Sequence, residues 1–166
     1  MRRPAALIAL VAATALSACV GTREPEVPPF TLDGRGIEPT VSGLRIDFGR
    51  AQIGVIDTVS RLLDEEPAQV ITQTECGAGP VTAAQWEDGL TLNFQEGTFV
   101  GWTTSDPDLP VANGFRPGQR RVEMPQVSFQ VTTLGDEFAR GAVAGLLDPT
   151  GETVALLWSG TTCFFR

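Results

Sequence analysis

The chain has 166 residues, 42 % of them hydrophobic, and a formal charge of −8. Lysine, histidine and tyrosine are absent, so all 12 basic residues are arginine. An acidic surface lacks the basic footprint that nucleic-acid phosphates need, and a chain without histidine has no Ser-His-Asp triad, Cys-His pair or histidine metal site.

Arg2 and Arg3 open the chain with positive charge, and Pro4 to Leu16 is apolar. That run is shorter than the about 20 residues a spanning helix needs. Charged start, apolar middle and small-residue exit are the layout of a secretory signal peptide. The exit, Leu16-Ser17-Ala18-Cys19, resembles the lipobox of bacterial lipoproteins. The resemblance implies a signal peptide over 1–18 that is removed and a diacylglycerol thioether on Cys19, with acyl chains such as palmitate as membrane anchor. Each acyl CH₂ buried adds about 0.8 kcal/mol, so several chains hold without a spanning helix. The plainer alternative is an ordinary signal peptide cut near Ala18, leaving Cys19 a free thiol. Val20 follows Cys19. By resemblance to enterobacterial sorting rules, Val20 in place of Asp implies the periplasmic side of the outer membrane over inner-membrane retention. Without Arg2 and Arg3, 10 basic residues face 20 acidic ones, a formal charge of about −10 that argues against lying flat on anionic lipid.

Two cysteines then remain, Cys76 and Cys163, in an oxidising compartment where two thiols allow one pairing. A Cys76–Cys163 disulfide is expected. It closes a loop of 87 residues, worth roughly 4 kcal/mol in the chain-entropy model. There is no CxxC pair and no histidine to activate a thiolate, which argues against redox or nucleophilic work.

Residues 19–40 contain Pro25, Pro28, Pro29 and Pro39 and read as a tether, extended at about 3.1 Å per residue where polyproline-like. Beyond Val41, Gly43 to Arg50 leads into a helical pattern. Ile53, Ile56, Val59, Leu62 and Leu63 recur at three-to-four spacing and give one apolar face. Pro67 stops the helix, because the residue before a proline avoids the α region. Asp64-Glu65-Glu66 is a solvated helix end. Strands are expected over Ala68 to Thr74, Val81 to Trp86, Leu90 to Phe94 and Thr98 to Trp102, with turns at Cys76 to Pro80, Glu87 to Gly89 and Gln95 to Gly97. Leu90-Thr91-Leu92-Asn93-Phe94 alternates as a half-buried strand should. Ser105 to Pro110, within a linker over 105–112, carries two prolines and two further aspartates.

A similar pattern then returns. Asn113 to Arg120 echoes Gly43 to Arg50, and Thr153 to Phe165, turning at Ser159-Gly160, echoes the Leu90 to Trp102 hairpin. Strands are expected between them over Gln126 to Leu134 and Phe138 to Leu147, and a short helical segment over Arg116 to Met124 before Pro125. The expected fold is α+β: an antiparallel sheet with one or two helices on one face, as two αβ repeats over 41–104 and 113–166. The glycine-arginine entry before a helix, followed by an acidic-glycine hairpin ending in an aromatic, resembles tandem repeats of the beta-lactamase-inhibitor-protein-like fold found in small bacterial envelope lipoproteins. The resemblance implies helices on a curved antiparallel sheet and a binding role.

Few residues suggest chemistry. Gly77-Ala78-Gly79 lacks the third glycine and following helix of a dinucleotide site. The pairs Glu87-Asp88 and Asp136-Glu137 could serve as acid/base couples or calcium ligands, but sit at expected tight turns. Asp106-Pro107-Asp108 lacks the remaining ligands of a calcium loop. Trp86, Trp102 and Trp158 fall at strand ends and either fill the core or form an aromatic gripping patch. Arg116, Arg120 and Arg121 are a basic cluster, either a solvated helix start or a docking point for an acidic partner. No catalytic residue, metal site or cofactor emerges. The function expected is non-catalytic: a protein-binding or scaffold subunit of the cell envelope, docking an envelope protein through Trp102, Arg116, Arg120 and Arg121. The alternative is a binding module for a small or polymeric envelope ligand such as cell-wall glycan.

Overall fold

A computed structural model describes residues 27–164. From Phe30 on, the first element corrects the tether expected over 19–40, whose residues 19–26, like the expected signal peptide over 1–18, lie outside the described residues. Phe30–Asp33 (β1) and Gly36–Pro39 (β2) form an antiparallel hairpin with Asp33 opposite Gly36. The Asp33 carboxylate accepts the Arg35 N–H at 2.8 Å and stabilises the turn. Phe30, Leu32 and Ile37 are fully buried, which a solvated tether could not be. Ile46–Asp47 (β3) pairs with β2 and completes a three-stranded sheet.

The helix α1 (Gln52–Leu63) follows, as the apolar periodicity predicts. Asp64 closes it in the left-handed region, its N–H donating to the Ser60 carbonyl. Its buried face is centred on Val55 and Val59 rather than on Ile53, which is 85 % exposed.

The second sheet has eight antiparallel strands: Gln69–Gln73 (β4), Val81–Gln85 (β5), Leu90–Gln95 (β6), Thr98–Thr104 (β7), Gln130–Val131 (β8), Asp136–Arg140 (β9), Val143–Leu147 (β10) and Val154–Gly160 (β11). Their order is β4-β5-β6-β7-β11-β10-β9-β8. Two four-strand meanders thus meet where β7 pairs with β11. By register, Leu90, Leu92, Phe94, Phe99, Trp102 and Leu157 share one face. All are buried against the small sheet and the inner face of α1. The Trp102 indole N–H donates to the Asp33 carbonyl at 2.8 Å and ties the two sheets together.

This β-rich sandwich corrects the expected α+β architecture of two αβ repeats. Among the described residues α1 is the one α-helix, and the segment before Pro125 winds only into a 3-10 turn, Arg121–Glu123. Arg116 to Met124 lacks an apolar stripe to bury, and proline at 125 forbids extension. What repeats is a docking pattern. Gly49 N–H donates to the Phe99 carbonyl, Phe99 N–H to Arg50, and Gln52 N–H to Gly97. Gly118 likewise donates to Val154, Val154 to Gln119, and Arg121 to Glu152. The counterpart of the β6–β7 hairpin is therefore β10–β11, not Thr153 to Phe165. The expected linker over 105–112 is packed too: Leu109 and Val111 are buried, and Leu32 bridges to Val111.

After β11 the chain forms no further strand among the described residues. At Gly160 (φ 74°) it turns back across the opposite sheet face, where Thr161 N–H donates to the Val100 carbonyl at 2.8 Å. Gly101 permits the crossing, because a Cβ there would lie 2.7 Å from the Thr161 nitrogen. Cys163 is bonded to Cys76 in the β4–β5 loop, and Phe164 meets Trp158 edge-on at 5.0 Å.

Candidate functional site

The three tryptophans do not form a surface patch. Trp102 is fully buried between the sheets. Trp86 is buried and its indole N–H donates to the Glu65 carbonyl at 3.0 Å, where α1 ends. Trp158, on the opposite sheet face by register, is buried beside Phe164. The docking role read for Trp102 is therefore corrected: its ring fills the core and its one polar atom is satisfied there.

The arginine cluster is divided. Arg120 pairs with Glu123 at 2.8 Å, which lowers the Glu123 carboxyl below its ordinary range. Arg121 pairs with Asp136 at 2.5 Å and lies over the Phe129 ring at 4.3 Å. Arg116 is exposed. Two of the three charges are thus spent on the protein's own carboxylates. The acidic pairs also separate. Glu87-Asp88 form the turn between β5 and β6, as expected, whereas Asp136 and Glu137 lie within β9. Asp108 N–H donates to the Asp106 carboxylate in a local turn. Among the described residues no three His, Cys, Asp or Glu side chains are grouped closely enough to hold a metal ion. Cys19 lies outside the described residues, and among those described no helix is long and apolar enough to cross a membrane.

The strongest electrostatic feature, centred on Arg45, is not among the residues the sequence singles out. Arg45 reaches three carboxylates: Asp33 at 2.9 Å, Asp47 at 3.0 Å, and Glu38. Burial pushes the Asp33 carboxyl up, but Arg45 and the Arg35 N–H outweigh it and hold it below the usual range. The hydrogen bond that Arg45 donates to Asp33 raises Arg45 above its ordinary value in turn. Sequence signals for this cluster exist: the Asp33-Gly34 turn, which aligns β1 with β2, and the Arg45, Asp47 spacing of two, which puts both side chains on one face of a strand.

Beside that cluster runs an open trough between the small sheet and α1. It consists of two adjoining clefts that share Arg45, Ile46 and Thr58: Pro39, Leu44 and Leu62 line one, and Val55 and Arg50 line the other. Leu44 is 76 % exposed, and Val41 and Ile53, on the flanking segments, are also exposed. Arg61 is paired with Asp57 at 2.8 Å, but Arg50 makes no ion pair among the described residues. The chain enters close by: the Thr40 N–H and hydroxyl donate to the carbonyls of Pro29 and Pro28. A second open cleft, lined by Ala78, Gly79, Pro80, Gln95, Glu96, Thr98 and Val100, is flanked by the disulfide loop and is more polar in composition.

Comparison with protein-family models, with curated proteins and with solved structures finds no match to this chain.

Proposed function

We propose that the protein is a lipid-anchored, non-catalytic scaffold subunit of the bacterial cell envelope, held to the periplasmic face of the outer membrane through Cys19. The observation that carries the docking role is the trough beside α1, with Leu44 exposed in one cleft and Arg50 unpaired among the described residues in the other. Exposed apolar surface of this kind favours a protein partner. The partner fitted to it is an envelope-protein segment that offers an apolar side chain to Leu44 and a carboxylate to Arg50. The trough lies near Pro28 and Pro29, so the partner would be held on the side of the domain from which the chain leads back toward Cys19. The anchor rests on the Leu16 to Cys19 pattern. Recognition of cell-wall glycan is the weaker reading, because the tryptophans on which sugars would stack are buried.

The test uses the native, lipidated protein crosslinked in cells and purified. One envelope protein recovered in fixed stoichiometry, and lost from a Leu44→Glu/Ile53→Glu variant that still folds, supports the role. Bulk membrane protein alone defeats it and directs the search to glycan fragments. Labelled palmitate fed to the cells is expected to appear on the wild type and not on Cys19→Ser, and a wild type that stays unlabelled would remove the anchor.

A further inference from the structure

The two ends of the eight-stranded sheet are built differently. At one end β8 has two residues, too few to template a strand. At the other, β4 has five, Gln69-Val70-Ile71-Thr72-Gln73, and all five are exposed. Its inner edge is fully paired to β5, from Gln69 opposite Gln85 to Gln73 opposite Val81. Its outer edge has no strand partner among the described residues. Edge strands are usually protected by a charge, a proline, a bulge or a covering loop. β4 has no charge, no proline and no register break. Val70 and Ile71 are 50 % and 39 % exposed, on opposite faces of the sheet.

We propose that β4 pairs antiparallel with β4 of a second copy of this chain. The occupant follows from the sequence of the strand, whose pattern of polar, β-branched, isoleucine, β-branched, polar reads the same in both directions. An antiparallel pair centred on Ile71 sets Gln69 opposite Gln73, Val70 opposite Thr72 and Ile71 opposite Ile71. Every pair joins like with like: amide with amide, β-branched with β-branched. The strand already makes such contacts on its inner side, where Gln69 bonds Gln85 at 2.5 Å and Thr72 bonds Thr82 at 2.9 Å. Both copies use the same patch, so the contact is two-fold and closes as a dimer. Joining β4 to the short β8 edge would instead build an open filament, and β8 is too short for that. The two eight-stranded sheets become continuous across the axis. Because β4 carries no charge, the acidic surfaces meet only beyond its ends, at Glu66 and Glu75. Added salt therefore strengthens the pairing.

The experiment uses the full chain in its own membrane. A photoreactive benzoylphenylalanine replaces Ile71, and in a control it replaces Val131 on β8. The expected result is an adduct at twice the chain mass from position 71 and none from 131. The register is then tested by charge. Val70→Lys/Thr72→Lys sets lysine opposite lysine and should lower the adduct several-fold. Val70→Lys/Thr72→Glu sets lysine opposite glutamate and should restore it. Resistance of Cys76 and Cys163 to alkylation checks that each variant is folded. Adducts from position 71 only to other proteins, or none at all, would overturn self-pairing. So would equal adducts from the two charged variants. None of these outcomes bears on the trough beside α1, whose test is separate.

Discussion

The two meanders of the large sheet, β4–β7 and β8–β11, dock their entry segments through the same three backbone hydrogen bonds, yet they are covered differently. The first is covered by a twelve-residue helix that buries Val55 and Val59. The second has a three-residue 3-10 turn and irregular chain, from which Phe115 and Met124 are buried and Phe129 packs against the core. Docking by backbone thus tolerates loss of the helix, provided other side chains fill the space the helix would have filled. Helices need a periodic apolar face, but a sheet needs only volume over it.

The two sheets are tied at Trp102. Trp102→Ala removes the ring shared by both sheets and leaves the Asp33 carbonyl without its donor. It should cost about 3–5 kcal/mol, read as a lower urea midpoint, and a loss under about 1 kcal/mol would show that the sheets are joined elsewhere. Next comes the tie between the first meander and the tail. Cys163→Ser should cost about 2–5 kcal/mol. Non-reducing peptide mapping of the wild type should recover Cys76 and Cys163 as one linked pair, and two alkylatable thiols would remove the bridge.

The cover of the second meander gives a sharper contrast. Met124→Ala should destabilise by about 2–5 kcal/mol, whereas Val122→Ala, two residues away and 77 % exposed, should stay within about 0.5 kcal/mol. Similar thermal midpoints for the two variants would mean that the turn anchors nothing. A titration tests the β10–β11 loop. Asp148 accepts the Thr153 hydroxyl at 2.6 Å, the Thr150 hydroxyl at 2.7 Å and the Glu152 N–H at 3.1 Å, which holds its carboxyl well below the usual range. A carboxyl depressed in the folded state stabilises fully above its unfolded value, about 3.9, and that contribution fades as pH falls toward the folded value. Wild type should therefore lose more stability than Asp148→Asn between neutral pH and pH about 3, and parallel losses would assign the acid sensitivity elsewhere. Smallest of all, Arg120→Ala breaks an exposed pair with Glu123 and should change stability by under about 1 kcal/mol.

Local patterns match the structure where one stretch of chain carries the whole signal. The periodicity from Ile53 to Leu63, ended before Pro67, corresponds to α1, and Leu90 to Trp102 corresponds to the β6–β7 hairpin. Phe30 to Pro39 carries an equally local signal for a hairpin, not the tether expected there. Its Asp33-Gly34 turn sits between Leu32 and Ile37, and four prolines nearby suggested a tether instead. The echo between Gly49 and Gly118 marks equivalent positions. The echo between Gly97 and Gly160 does not, because a glycine before a crossing tail looks in sequence like one in a hairpin.

Residue type and local spacing alone establish the missing histidine, the helix over Ile53 to Leu63 with its proline stop, and the two cysteines free to pair if Cys19 is committed elsewhere. Tertiary structure alone decides that the three tryptophans are buried, that Arg120 and Arg121 are neutralised, and that β4 is left open while β8 is cut short. The physical reason is one of range. Helix periodicity and turn chemistry act over a few residues, whereas burial, ion pairing and strand neighbours depend on segments far apart in the chain, such as Asp33 and Trp102, which meet only when the sheets stack.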